Sequence, residues 1–321
     1  MHMRYGIDTL NSHLQQIIIG QSALRERLLV SLLTGGHLLI EGLPGLAKTT
    51  AARALADGMQ LDFRRIQFTP DLIPGDITGS EIFLPDERSF NFVPGPLFTD
   101  ILLADEINRA PPKVQSALLE AMQERQVTAG GVTRPLSPWF LVIATQNPLE
   151  HEGTYPLPEA QLDRFMMKVN VEYPDTEQEL AILEQAQRQR QRPQTVLTSP
   201  PALTTEQLAT ARAAVNGIYI DDMVKRYIVQ LVAATRHPEH WDQALSGQIE
   251  YGASPRATLA LAYGAQALAL LRDRDFVEPG DVITLAGDIL NHRIGLGFTA
   301  RAEGLTPRQF IDRLLQCVPA P

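Results

Sequence analysis

The 321-residue sequence predicts an α/β layered domain followed by a smaller all-helical one. Three observations carry this. Short apolar runs alternate with helical patterns through the first half. A glycine-rich loop joins the first run to a helix. Past Pro174 the strand signals fade while helical stripes continue.

The apolar runs fall at residues 37–40, 63–68, 101–103 and 140–144. Runs this short and this apolar suit strands buried on both faces of a parallel sheet. Between the third and fourth, Val114, Ala117, Leu118, Ala121 and Met122 recur at helical spacing. Pro111 and Pro112 suit that helix's entry, where a missing N–H costs little. Residues 76–96 carry Phe83, Phe90 and Phe92 between turn residues, and residues 125–136 read as a hairpin turning at Gly130-Gly131. The phenylalanines either face a partner or pack on the domain's own core. After Pro174 comes a polar, Gln- and Arg-rich helix-like stretch, then a Thr/Pro break at 198–201. Met223, Val224, Tyr227, Ile228, Leu231 and Val232 form one later stripe; Leu259, Tyr263, Ala267, Leu268 and Leu271 form another. The organisation expected is an α/β core over 1–175, including the N-terminal helix, a linker over 176–194 and a helical domain over 195–321.

Composition sets bounds on function. Hydrophobic residues are 44% and charged residues 20%, enough for a real core. The net charge of -9 argues against a surface built for nucleic-acid backbones. Cys317, the one cysteine, cannot form an intrachain disulfide and fits a reducing compartment. No run of 18 apolar residues occurs, so membrane insertion is not expected and a cytoplasmic location is. His237 and His240 flank Pro238 in what reads as a solvated turn rather than a metal site.

The first run leads into Gly42-Leu43-Pro44-Gly45-Leu46-Ala47-Lys48-Thr49-Thr50, close to G-x-x-x-x-G-K-[ST] with Ala47 in place of the last glycine. Glycines let backbone N–H groups converge on one anion, and the helix that follows adds its positive end. Lys48 is placed to reach the β- and γ-phosphates of a nucleotide, and Thr49 to hold Mg²⁺. The third run ends in Asp105-Glu106. Asp105 there reads as a magnesium ligand, direct or through water, and Glu106 as the general base for an attacking water. Ligands bind at carboxyl ends of strands in such sheets, which favours this over solvated surface acids. The fourth run ends in Thr145-Gln146-Asn147 before Pro148; Asn147 is a candidate to orient water or touch the γ-phosphate. Gln67, ending the second run, is a candidate to hold Glu106 in an inactive pose. Ser254-Pro255 reads as an N-cap and first helical position, which puts Arg256 in the first turn, where an anion such as γ-phosphate would offset its clash with the helix dipole.

Together these strings resemble AAA+ ATPases and, among them, the MoxR family: GLPGLAKT at 42–49, RIQFTPDLIPGDITGSEI at 65–82, ADEINRAPPKVQSALLEAMQERQVT at 104–128, ATQNPLEHEGTYPLPEAQLDRFMMK at 144–168 and GASPRA at 252–257. The resemblance covers about residues 17–300. It implies a P-loop NTPase parallel-sheet sandwich with a C-terminal helical lid, assembled in rings, usually hexamers. It makes Lys48 and Thr49 the Walker A pair, Asp105 and Glu106 Walker B, Asn147 sensor 1, Arg256 sensor 2 and Arg164 the arginine finger, with Arg109 and Arg125 as rivals for interface contacts. Ile19 and Gly20 resemble the adenine-side wall. The implied activity is ATP hydrolysis driving remodelling or activation of a partner protein, such as a von Willebrand A domain protein or a metalloenzyme. A DNA-acting motor and a nucleotide-gated scaffold are the alternatives.

Overall fold

A computed structural model describes residues 2–43, 46, 48–148, 153–191 and 200–321. Helices α1 (His2–Ile17) and α2 (Ser22–Thr34) lead into β1 (Leu38–Gly42) and α3 (Lys48–Met59). Then follow β2 (Phe63–Gln67), α4 (Pro74–Thr78), the pair β3 (Gly79–Leu84) and β4 (Ser89–Pro94), and β5 (Ile101–Asp105). Next come α5 (Pro112–Glu124), the pair β6 (Gln126–Ala129) and β7 (Val132–Pro135), β8 (Leu141–Gln146), α6 (Glu159–Leu162), β9 (Met167–Val171) and α7 (Thr176–Gln191).

The central sheet has the order β2-β5-β8-β1-β9. Pairing of β5 with β2 and with β8 is parallel, Asp105 opposite Gln67 and Ala104 opposite Ala144. Every residue of β5 is buried, as the expectation of strands covered on both faces requires. Strand β2 departs from it. As the edge of the sheet it buries Ile66 and leaves Arg64, Arg65 and Gln67 exposed. Strand β9 went unread in the sequence because its alternation of Met167, Val169 and Val171 with Lys168 and Asn170 is a half-buried edge pattern without a long apolar run.

Two antiparallel hairpins stand apart from that sheet. In the β6–β7 hairpin Ala129 pairs with Val132, and Gly130 and Gly131 adopt φ of 58° and 75°, left-handed values that a two-residue turn demands. The hairpins touch: the Arg134 guanidinium lies 3.8 Å from the Phe92 ring centroid and 3.8 Å from Glu81. Phe92 is thus covered, whereas Phe83 and Phe90, rings 5.2 Å apart, are 49% and 69% exposed.

The chain forms two compact units. One comprises Met1–Leu29, Ile40–Tyr155 and Asn170–Thr210; the other Val30–Leu39, Pro156–Val169 and Ala211–Pro321. Helix α8 (Thr205–Gly217) bridges their boundary in sequence, and the second unit continues with α9 (Asp222–Ala234), β10 (Ile249–Tyr251), α10 (Pro255–Leu271), α11 (Pro279–Leu290), β11 (Gly295–Leu296), α12 (Phe298–Ala302) and α13 (Pro307–Cys317). The region is not wholly helical, because β10 and β11 pair as a short antiparallel ribbon. Three-residue strands carry too little periodicity to read from sequence.

The helical stripes need correcting in phase. On α9, Val224, Tyr227, Ile228, Leu231 and Val232 are buried, but Met223 is 62% exposed. On α10 the buried face is Ala257, Ala260, Leu261, Gly264, Ala265, Ala267 and Leu268, while Leu259 and Tyr263 face outward. That helix is apolar nearly all round, so its period cannot set which face packs. Small residues decide instead: an added Cβ at Gly264 would stand 2.9 Å from Leu285 of α11. Each fully buried Leu there contributes about 2 kcal/mol. Cys317 closes α13, its thiol pKa pushed up by desolvation and by Asp242. No helix among the described residues is long and apolar enough to cross a membrane.

Candidate functional site

A pocket of about 560 Å³ in the first unit is lined by Leu46, Lys48, Thr49, Thr50, Arg65, Gln67, Asp105, Glu106 and Asn147, with Ile17, Ile19 and Gln21 among the others. Its polar members sit where physics places them. Gln67 and Asp105 end parallel strands, Arg65 lies two residues before Gln67 on β2, and Asn147 directly follows Gln146, the last residue of β8. Lys48 and Thr49 open α3, whose positive dipole end suits an anion.

Both acids belong to one closed hydrogen-bond circuit. Asp105 Oδ2 accepts from Arg65 Nε at 3.0 Å and from its terminal nitrogen at 2.6 Å. Arg65 also donates to Gln67 Oε1 at 2.9 Å, and Gln67 Nε2 donates to Glu106 Oε2 at 2.7 Å. The Glu106 N–H donates to Thr145 Oγ1 at 2.9 Å, and that hydroxyl donates to Asp105 Oδ1 at 2.6 Å. Thr145 is fully buried, so each of its bonds is made out of reach of water. Arg109 adds a contact to Glu106 Oε2 at 3.2 Å. The Glu106 backbone lies at φ 57° and ψ 51°, left-handed, which costs a residue with a Cβ about 1 kcal/mol. The three-residue helical turn at Ile107–Arg109 and the Thr145 bond hold it there, and the strain aims the carboxylate off the strand end into the pocket.

Lys48 Nζ donates to the Gly42 carbonyl at 2.6 Å, tying the start of α3 to the end of β1. Asn147 is buried at the pocket wall. A hydroxyl at Thr49 and a carboxylate at Asp105 are hard oxygen donors in one pocket, a set that fits a Mg²⁺ ion whose other ligands are phosphate oxygens and water.

The second unit holds a different cluster. Asp163 Oδ1 accepts from Arg293 Nε at 2.7 Å, and Asp163 Oδ2 accepts from Ser254 Oγ at 2.9 Å and lies 3.6 Å from Arg256. Ser254 caps α10, its hydroxyl accepting from the Arg256 N–H at 3.2 Å, and Pro255 takes the first helical position. So the anion that offsets Arg256 at this helix start is Asp163. Arg293, almost fully buried, also donates to the carbonyls of Phe165 at 2.6 Å and Met166 at 3.0 Å. It thereby pins the segment that carries Arg164. Beside it, burial first and the Arg293 charge second push His292 well below the ordinary imidazole range; its Nε2 faces the Phe165 carbonyl at 3.1 Å.

Of the residues singled out from sequence, Ile19, Leu46, Lys48, Thr49, Thr50, Asp105, Glu106 and Asn147 line the pocket. Gly20, Gly42 and Leu43 are not among its lining, although Gly42 binds Lys48. Pro44, Gly45 and Ala47 lie outside the described residues. Arg164 and Arg256 belong to the second unit. Arg109 turns to Glu106, and Arg125 donates to the Phe140 carbonyl at 2.7 Å, tying the end of α5 to the start of β8. Sequence reasoning missed Arg65, Thr145, Asp163 and Arg293. The period of two that puts Arg65 and Gln67 on one face of β2 was available as a signal for the first; nothing local marks the last.

Comparison with known proteins bears on these groups. Residues 37–167 match the ATPase family associated with various cellular activities (AAA), and residues 242–314 match an AAA lid domain. The chaperone MoxR1 of Mycobacterium tuberculosis is 47% identical over 308 residues, covering 96% of this chain and 80% of that protein. An uncharacterised Bacillus subtilis protein, YeaC, is 43% identical over 310 residues, with 96% and 93% covered. The crystal structure of a Cytophaga hutchinsonii protein assigned as an ATPase superposes with a TM-score of 0.90 at 44% identity, covering 100% of this chain and 96% of that one.

Proposed function

The chain belongs to the MoxR family of AAA+ ATPases, and from that premise we propose that it hydrolyses ATP with magnesium, as a ring of copies, to remodel or activate a partner protein in the cytoplasm. The observation that carries the chemistry is the convergence of Lys48, Thr49, Asp105, Glu106 and Asn147 on one pocket.

In this reading Lys48 exchanges its bond to the Gly42 carbonyl for the β- and γ-phosphates. Thr49 and Asp105 would hold a magnesium ion, which when bound would neutralise phosphate charge. Glu106 takes the proton of the attacking water, and Asn147 orients that water. Arg65 and Thr145 fix the Asp105 carboxylate through both its oxygens. Arg164 reaches the nucleotide of a neighbouring copy and Arg256 senses γ-phosphate, each set by the Asp163 cluster. A hexamer is the ring expected. The exposed Phe83–Phe90 pair on the β3–β4 hairpin is the surface offered to a protein client, such as a von Willebrand A domain protein or a metalloenzyme.

Binding and turnover of ATP by two variants test the chemistry. Lys48→Ala is expected to lose tight ATP binding. Glu106→Gln is expected to bind ATP and to turn over at least about 100-fold more slowly. Normal turnover by Glu106→Gln defeats the role given to that residue. Held in its ATP state, the same variant is the bait for the client, and Phe83→Ala with Phe90→Ala should release whatever it captures.

A further inference from the structure

The partners of Asp105 set its two carboxylate oxygens apart. Oδ1 accepts from the hydroxyl of Thr145, which is fully buried. Oδ2 accepts twice from one guanidinium, that of Arg65, at 3.0 Å and 2.6 Å. The Arg65 side chain is 47% exposed, so Oδ2 is the oxygen on the open side. In the parallel register Gln67 stands opposite Asp105, and Arg65, two residues earlier on the same face of β2, reaches forward to the strand ends. A carboxylate oxygen offers about two lone-pair sites, and Arg65 takes both. Arg65, Asp105 and Thr49 all line the pocket. A magnesium ion held by Thr49 and Asp105 would therefore draw on a carboxylate that a fixed cation already grips. A metal-bound water meets the same conflict, because it must donate to an oxygen whose sites are filled. The guanidinium keeps its charge at any working pH and repels a divalent cation beside it.

Arg65 has a second hold. The nitrogen that gives the 2.6 Å bond to Asp105 also donates to Gln67 Oε1 at 2.9 Å, and Gln67 Nε2 donates to Glu106 Oε2 at 2.7 Å. With its oxygen engaged by Arg65, the Gln67 amide is turned to present its N–H groups to Glu106. One guanidinium thus joins the carboxylate suited to the metal to the carboxylate suited to the attacking water. We propose that Arg65 is a positioning residue that competes with magnesium for Asp105, so that metal binding moves Arg65 off Oδ2 and loosens the clamp that points the Gln67 amide at Glu106. This rests on the magnesium-dependent ATP reading above and adds how metal binding is conveyed to the general base.

The test is the gain in ATPγS affinity that magnesium confers, measured on the full chain as the ratio of dissociation constants in excess EDTA and in excess magnesium. Wild type is compared with Arg65→Met, Arg65→Lys and Thr49→Ala, each checked for folding by circular dichroism. A competitor and a support differ in sign. Removing a competitor enlarges the gain, by about tenfold in Arg65→Met, the order of one charge-assisted hydrogen bond, and by less in Arg65→Lys, which keeps the charge. Removing a mere support for Asp105 shrinks it. An unchanged or smaller gain in Arg65→Met, or in Arg65→Lys if the methionine variant does not fold, overturns the inference; a gain in wild type that Thr49→Ala loses leaves the metal site standing. Wild type with no gain, or Thr49→Ala with the wild-type gain, overturns the metal site and this inference with it. The link to Glu106 has its own readout. Gln67→Ala should change the single-turnover rate less in the Arg65→Met background than in wild type, because the clamp is already gone. Equal effects in both backgrounds overturn the link.

Discussion

Gln67 donates its side-chain N–H to Glu106 at 2.7 Å while its own oxygen accepts from Arg65, so the carboxylate read as the general base is tethered to the edge strand of the sheet. Glu106 must leave that bond to take a proton from water with the same oxygen. In the proposed mechanism Gln67 is then a brake whose release costs about one hydrogen bond.

Replacing Gln67 by Ala is expected to raise the basal ATPase rate about threefold to tenfold, the value of one such bond. Gln67→Glu should act differently. A carboxylate there still accepts from Arg65 but repels Glu106, so its rate across the pH range should fall below that of the alanine variant. Steady-state rates across pH check both; a rate and profile identical to wild type in both variants would remove Gln67 from this role.

Mixing experiments decide whether Arg164 acts across subunits. Arg164→Ala and Glu106→Gln should each be nearly inactive alone. Where a Glu106→Gln copy lends its arginine to an Arg164→Ala copy, an intact site is restored. An equal mixture should regain a measurable share of wild-type ATPase. If the mixture stays as inactive as its parts under conditions where rings form, Arg164 serves its own nucleotide or none.

The Asp163–Arg293 pair at 2.7 Å joins an almost fully buried Arg293 to a half-buried Asp163. Arg293→Met leaves Asp163 without its closest cation and the Phe165 and Met166 carbonyls without their donor. Asp163 keeps Ser254 and Arg256 beside it, so the loss expected is about 2 kcal/mol, below that for a charge left buried and alone. Urea unfolding should show this loss, and a change under 1 kcal/mol would mean that the cluster is not a structural anchor.

His292 gives the protein an acid-sensitive element. Burial first and the Arg293 charge second hold its folded-state pKa well below the ordinary imidazole value. Between the two pKa values the unfolded chain binds a proton that the folded one refuses. The His292 contribution to stability is therefore complete above the unfolded pKa and declines as pH falls below it, by at most about 1.4 kcal/mol per pH unit. Unfolding midpoints for wild type and His292→Gln between pH 7 and pH 5 should converge as pH drops. Parallel curves would place the acid sensitivity elsewhere.

Much of the site was legible because its parts are local. A strand, a glycine-rich turn and a helix start are contiguous in residues 38–50, and backbone preference over such a stretch is set by neighbours a few positions away. Asp105 and Glu106 were readable for the same reason, as charge at the end of a wholly apolar strand. The α10 cap was equally plain, since Ser254, Pro255 and Arg256 are consecutive.

Sequence alone thus determined the family, the alternation of strands and helices in the first half, and which residue types stand at the strand ends. Only the folded chain decided which of them meet. Arg65 finds Asp105 across 40 residues because two parallel strands take a particular register. Arg293 finds Asp163 across 130 because helices pack on one face rather than another. Helix α7, read as a polar linker, supplies one wall of the pocket. Register and packing come from summed burial over many distant residues, so no short window of sequence contains them.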